Sequence, residues 1–409
     1  MSAQRWIVSQ IGAREHYAVP RALENRNRLD QLYTDAWCRY GHSVLRRMPD
    51  PLRSYANRYH PEIPSAKVKS FDGWALYNRI RWRLSSSKDH DEQYYEHHRR
   101  IGASFAEQVR ISLTQENLDT SKAVFLGYNT GCLETLDFLS DSGCFTIVDQ
   151  IDPGQIHKEI VQKEAERWPS WSTQIPVFYE PYEKRLRTEW KLASVVVVNS
   201  EWSKQALIKQ GVASSKIEVV PLAYEPSFSP TDVSNRKEEA PLRVLWLGSV
   251  RLAKGIPYLI QAARALEEAP VRFEIVGPIH ISEKAVASAP SNVTFVGRVS
   301  RDETESWYRE ADVFVLPTLS DGFAITQLEA MAHGLPVIAT PNCGRVVTDG
   351  EDGYVVPPRD VGALVRSLTR FVQFPDRVLE MGRKAHEKAQ TYTLDRVADR
   401  LIEIVSRDG

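Results

Sequence analysis

Apolar residues in this chain gather in short, nearly continuous runs separated by longer stretches of mixed character. The first is Trp6-Ile-Val-Ser-Gln-Ile-Gly12, followed by Ala123-Val-Phe-Leu-Gly127, Phe145-Thr-Ile-Val148 and Val195 to Val198. A second series comprises Arg243 to Leu247, Arg272 to Val276, Val293 to Val296, Val313 to Leu316 and Pro336 to Ala339. Runs that do not alternate with polar residues predict strands covered on both faces, as in a parallel sheet. Leu32 to Asp35 predicts a further short strand. Helical spacing falls between the runs, over Ile156–Arg167, Trp202–Gln210, Pro257–Ala269 and Arg301–Glu310. Alternation of strand and helix predicts an α/β fold.

Residues 224–241 are rich in Pro, Ser and charge, which marks a linker between two tandem α/β domains. The expected division is 1–225, 226–385 and a C-terminal helical segment, 386–409, with its helix over Asp395–Ser406. From Arg39 to Arg110 the periodicity weakens. Residues 1–110 hold 19 Lys and Arg against 12 Asp and Glu, a surplus of seven. The densest stretch contains Tyr77, Arg79, Arg81, Trp82 and Arg83, then Tyr94, Tyr95, His97, His98, Arg99 and Arg100. Solvated helices with aromatic residues facing a core account for it; so does a surface for an anionic or carbohydrate partner.

Over all 409 residues, 52 basic side chains balance 53 acidic ones, so the net charge is −1. That balance argues against a general nucleic-acid binder. Four cysteines without a C-x-x-C pair suit a reducing compartment and indicate no zinc site. No apolar run approaches the ~20 residues of a spanning helix, and Met1 to Trp6 lacks the apolar core of a signal peptide. The expected location is the cytoplasm, with contact at the inner face of a membrane through the basic aromatic segment left open.

Candidate chemistry concentrates in the second half. Strand Val313–Leu316 runs into a loop with Asp321-Gly322, and a helix is expected from near Ala324 to just before Gly334. Amides near Ile325 and Thr326 would then sit beyond the carboxyl end of the strand, where open α/β sheets bind ligands and a helix start favours phosphate. Asp321 and Glu329 could accept hydrogen bonds from hydroxyls, although a dipole-favouring acid and an ordinary helical glutamate explain them equally well. The loop Gly248-Ser-Val-Arg-Leu-Ala-Lys-Gly255 puts Arg251 and Lys254 at the same sheet edge, where they could neutralise a diphosphate. P-loop and Rossmann glycine spacings are both absent, which lowers the ATPase and dehydrogenase readings.

From Leu242 to Val365 the chain resembles the retaining glycosyltransferases of family 4, which have the GT-B architecture. The resemblance runs through Gly248–Gly255, Val276-Gly277, Asn292–Gly297, Tyr308–Pro317, the Asp321–Glu329 block and Asp349–Pro358. Val195–Tyr224 also fits. It implies two Rossmann-like domains with a catalytic cleft between them, and a last helix crossing back to the first domain. By the same resemblance, Lys254 and Arg251 hold the donor diphosphate and Ser249 lies in their loop. Arg298 and Val299 lie beside the base, and Glu329 binds the ribose. Asp321 stands where the family has a glutamate facing the donor sugar, one methylene shorter. Phe323, Ala324, Ile325 and Thr326 surround sugar and phosphate.

In the first domain, Gly12 is expected near the donor phosphate, and Arg14 and His16 near the acceptor. Asp149 or Gln150 occupies the place of a histidine common in the family; Asp149 is taken as catalytic and Gln150 as an acceptor contact. His157 is read as a solvent-facing helical residue. The implied activity is retaining, metal-independent transfer from a UDP- or GDP-sugar to a hydroxyl of a glycan, lipid-linked or small-molecule acceptor, with no cofactor. The rival readings are a catalytically weak partner subunit that binds nucleotide sugars, and a nucleotide-sugar epimerase.

Overall fold

A computed structural model describes residues 4–41, 45, 47–48, 53–83, 92–116, 120–172, 175–225 and 240–408. The first sheet has strands β1 (Arg5–Gln10), β2 (Leu29–Thr34), β3 (Val68–Ser70), β4 (Ala123–Tyr128), β5 (Phe145–Gln150), β6 (Val195–Val198) and β7 (Ile217–Val219). The second has β8 (Leu242–Leu247), β9 (Val271–Val276), β10 (Val293–Gly297), β11 (Val313–Leu316), β12 (Val337–Ala339) and β13 (Gly353–Val355). Helices of the first half are α1 (Ala18–Asn25), α2 (Asp72–Arg83), α3 (Glu92–Glu116), α4 (Leu133–Leu139), α5 (Gln155–Arg167), α6 (Glu180–Leu192) and α7 (Glu201–Lys209). The second half has α8 (Ile256–Ala265), α9 (Glu283–Ala287), α10 (Arg301–Glu310), α11 (Thr326–Ala332), α12 (Val361–Gln373), α13 (Asp376–Ala389) and α14 (Leu394–Asp408).

Every strand pairing is parallel, in the orders β3-β2-β1-β4-β5-β6-β7 and β10-β9-β8-β11-β12-β13. Successive residues of each strand enter opposite cores. Trp6, Val8, Val124 and Leu126 meet α1 and α14 on one face, whereas Ile7, Phe125, Val148 and Val196 meet α3, α4 and α6 on the other. This two-sided burial is why the strands read as unbroken apolar runs. The second sheet is built alike, with Val244, Phe273 and Val315 facing α8 and α12, and Leu245, Phe314 and Val337 facing α11 and α13. The architecture is GT-B: two Rossmann-like parallel sheets, each covered by helices.

Several elements differ from the sequence expectation. The strand expected at Leu32–Asp35 starts at Leu29, and β3, β7 and β13, at three residues each, were too short to show a period. Helix α8 ends at Ala265 rather than Ala269, and α11 starts at Thr326 because Ala324 is held at φ +61°. Most of the expected linker, 226–239, lies outside the described residues.

Among the contacts that tie the halves together, two centre on helices α14 and α5. The apolar stripe of α14 joins the first domain's core, and Arg26 and Glu218 of that domain bind Asp399 and Arg400 at 2.8 and 2.6 Å. On the other side Trp171, just after α5, enters the second domain's core, and the buried Glu164 accepts from Tyr258 Oη and Arg359 Nε, both at 2.6 Å. No described helix is long and apolar enough to cross a membrane.

Candidate active site

In each sheet the strand order reverses between the first strand and its neighbour, β1/β4 and β8/β11. Loops leaving the carboxyl ends of such a pair diverge and open a crevice. Here the two crevices face each other. The resulting cleft has three joined parts of about 550, 420 and 530 Å³. Arg14, Ile151, Lys254 and Asp321 line both the first and the second part; Glu15, Leu222 and Ile325 join the second to the third.

The second domain supplies the cations. After β8 the chain makes one short turn, Leu252–Lys254, and Gly255 starts α8. A Cβ on Gly255 would lie 1.8 Å from the Pro317 carbonyl oxygen, so only glycine lets this loop rest on the exit of β11. That seating sets Lys254 in an ion pair with Asp321. Arg251 reaches Ser249 Oγ with its Nε at 3.0 Å. Ser249, Phe323, Ala324, Ile325 and Thr326 line the second part, and Glu329 lines the third, where Tyr308 Oη donates to it at 2.8 Å. Arg298 is exposed and lines none of the three parts; Val299 packs partly against the core behind Ile325.

The first domain contributes a strained turn. Glu15, His16 and Tyr17 all have left-handed backbone, with φ of +47°, +54° and +61°. Each costs energy in a non-glycine residue, and such strain collects at functional sites. The turn aims Arg14 into the cleft and His16 into its third part. Arg14 Nε, Asn129 Oδ1 and Ser320 Oγ are buried in the first part with no hydrogen-bond partner among the described residues. Buried polar atoms left in this way mark where a ligand's polar groups would go.

Three residues expected at the first domain's site lie outside the cleft lining. Gly12 lines none of the three parts; its amide donates to Asp35 Oδ1 at 2.8 Å, and the Arg58 guanidinium lies against its Cα. Gln150 is wholly buried, accepting from Trp190 Nε1 at 2.9 Å and donating to Asp152 Oδ1 at 3.1 Å, so it braces a turn. Asp149 also lies outside the cleft lining, behind Arg14 and Glu15. It keeps a small accessible edge, yet protein encloses its carboxyl. Burial, then Glu15, pushes it up to about 8, with Arg14 opposing. Burial pushes Glu15 up to about 7.

Asp149 therefore holds a proton in the folded protein between its ordinary pKa and about 8, where the unfolded chain has released it. The unfolded state binds fewer protons there, so this group's contribution to stability falls as pH rises through that window. Asp149→Asn should raise the melting temperature at pH 8 by several degrees, at about 2–4 °C per kcal/mol, and clearly less at pH 5. An equal shift at both values would contradict a buried, protonated carboxyl.

Sequence reasoning missed much of the first part. His157 lines it beside Lys254 and Asp321 rather than facing solvent, and burial holds its imidazole below its ordinary pKa. Tyr94, Tyr95 and His98 of α3 line the same part, so the basic aromatic segment does reach the cleft. Lys158 is buried there, its ammonium 3.6 Å from the Tyr95 ring centre and 2.5 Å from Glu183 Oε1. The Arg83 side chain lies outside the described residues.

Residues 241–373, which carry the cations and Glu329, match the family model described as Glycosyl transferases group 1. The match falls within the second domain. The amylovoran biosynthesis glycosyltransferase AmsK of Erwinia amylovora is 29% identical over 217 residues, 49% of this chain and 53% of that protein. A D-inositol 3-phosphate glycosyltransferase of Corynebacterium urealyticum is 29% identical over 239 residues, 52% of this chain and 56% of its own. The matches thus span about half the length of these relatives. Among solved structures, sucrose-phosphate synthase from Thermosynechococcus elongatus superposes with a TM-score of 0.67 at 18% identity, covering 99% of this chain and 98% of that one. Anabaena HepE in complex with UDP and glucose gives 0.58 at 14% identity, covering 99% and 100%. At these identities the structures speak to the fold, and the similarity to the group 1 glycosyl transferase model lies in the second domain.

Proposed function

We propose that the protein is a retaining, metal-independent glycosyltransferase that moves a sugar from a UDP- or GDP-sugar to a hydroxyl of a glycan, lipid-linked or small-molecule acceptor. The observation that carries this reading is the Lys254–Asp321 pair with Arg251, set at the second sheet's switch point and facing Arg14 across the cleft. Glu329 would take the ribose, Ser249 and the Phe323–Thr326 turn the phosphates, and the complex of HepE with UDP and glucose favours uridine as the base.

In the reaction the bond from the anomeric carbon to the diphosphate oxygen breaks, and the acceptor oxygen bonds that carbon from the same face. The acceptor proton passes to the departing phosphate oxygen. Lys254 and Arg251 stabilise the negative charge that builds there, from fixed positions in a partly enclosed cleft. His157, kept neutral by burial, and Asp321 face the sugar side. Cation charge from the chain supplies what a divalent metal would otherwise supply.

Calorimetry with UDP, GDP, ADP and dTDP should show one of them preferred, with Glu329→Ala weakening it by about 1.5–3 kcal/mol. The matching nucleotide sugar should release nucleoside diphosphate in EDTA at an undiminished rate. A requirement for Mg²⁺ or Mn²⁺ would remove the metal-free account, and an epimerised nucleotide sugar as the product would replace the transfer reading.

A further inference from the structure

We propose a second carbohydrate site outside the interdomain cleft, between α2 and α3, which takes the distal sugars of an oligosaccharide acceptor whose end lies in the cleft. This deepens the transfer reading above and rests on it. Beside the cleft is a cavity of about 620 Å³, within the size range of ligand sites. Helix α3 is the wall between the two: Tyr94, Tyr95 and His98 face the cleft, while Gln93, His97 and Arg100 face the outer cavity.

The two spaces are joined by an unbroken series of aromatic rings. Tyr182 meets Tyr95 at 5.2 Å between centroids, Tyr95 meets Tyr94 at 5.4 Å, Tyr94 meets Trp82 at 6.4 Å, and Trp82 stacks on His97 at 3.9 Å. Tyr182 lies in the cleft; Trp82 and His97 lie in the outer cavity. Most of these rings meet edge to face and Trp82 stacks on His97, so the series is the packed wall of the cavity; ring faces carry negative charge density that suits the weakly polarised C–H face of a pyranose, and Tyr77 offers such a face. Around this path Asn78, Arg81 and Glu92 offer donors and acceptors to hydroxyls. Tyr77, 63% exposed on α2, lines the same cavity.

Charge narrows the ligand further. Arg100, which lines the cavity, and Arg99 beside it share an acid: Glu96 accepts from Arg99 at 2.7 Å, from Arg100 at 2.5 Å and from Tyr179 Oη at 3.1 Å. A polyphosphate chain would meet that acid as well as the arginines, whereas a hydroxyl-rich chain uses both. The shared ligand chemistry is a linear pyranose chain, neutral or bearing uronates.

The test follows tryptophan fluorescence and binding heat for the wild-type protein with cellobiose through cellohexaose, and with digalacturonate through hexagalacturonate. Affinity should rise about tenfold from the shortest to the longest member of at least one series, equivalent to about 1.4 kcal/mol. Trp82→Ala and the solvent-facing Tyr77→Ala should each flatten that dependence and leave nucleoside diphosphate affinity at the wild-type value. Affinity independent of length in both series, or an unchanged length dependence in both variants, overturns the second site. If nucleoside diphosphate binds while neither sugar series does, the outer site alone falls. If no nucleoside diphosphate binds, the transfer reading falls with it.

Discussion

Replacing Lys254 by alanine is expected to reduce turnover about 10²–10³-fold, the scale for losing one preorganised group that stabilises developing charge. Two effects add. On the transfer reading, the variant loses a cation that would stabilise the leaving diphosphate, and it leaves Asp321, now without its ion-pair partner, as a negative charge that would face an anionic donor. Donor KM should therefore rise along with the loss in kcat. Removing the second effect separates the two: Lys254→Ala with Asp321→Asn should recover donor KM and leave kcat low. The fold is not at risk, because Lys254 is partly exposed and the turn is held by Gly255 against Pro317. Nucleoside diphosphate release at saturating donor measures kcat directly. Wild-type turnover in the single variant would take Lys254 out of the mechanism.

The residues most legible in the sequence were those whose role follows from position along the chain. Lys254 and Asp321 each follow a strand that reads as a solid apolar run, so their place at the sheet edge could be inferred before any contact was known. Asp149 and Gln150 also follow from a strand, but they are its last residues, and successive residues of a two-sided strand point to opposite faces. Neither face leads to the cleft here: Gln150 meets Trp190, and Asp149 lies behind the Glu15 turn. The left-handed run at Glu15–Tyr17 had no sequence signal, since none of the three is glycine. His157 looked like a surface residue because α5 is polar along most of its length, yet the helix starts at the mouth of the cleft and its first turn faces inward. Helix α2 and the start of α3 were hidden by aromatic, histidine and arginine side chains that line cavities instead of packing into an apolar stripe.

Gly322→Ala should lower kcat/KM about 10²-fold without unfolding the protein. Gly322 belongs to the second domain, but its backbone rests on the first. Its carbonyl accepts from Ser200 Oγ at 2.5 Å, and a Cβ would stand 2.1 Å from the Ile151 carbonyl oxygen and 2.9 Å from Asn199 Nδ2. Neither neighbour can yield cheaply: Ile151 follows directly on β5, and Asn199, directly after β6, donates to that same carbonyl at 2.9 Å. The added methyl must push the domains apart at this point, which is the floor of the cleft between Arg14 and Lys254. A shift of about 1 Å between reacting groups is enough to cost about 10²-fold, while the overpacking itself costs about 1–3 kcal/mol of stability. Nucleoside diphosphate should still bind, because Lys254, Arg251 and Glu329 all stay on the second domain. Ser200→Ala provides the control: it removes the hydrogen bond to Gly322 and inserts nothing, so its loss in kcat/KM should stay under about tenfold, in line with about 1 kcal/mol for a typical hydrogen bond. A Gly322→Ala enzyme with wild-type kcat/KM would mean that the catalytic spacing of the two domains is set elsewhere, at α14 or at the Glu164–Arg359 contact.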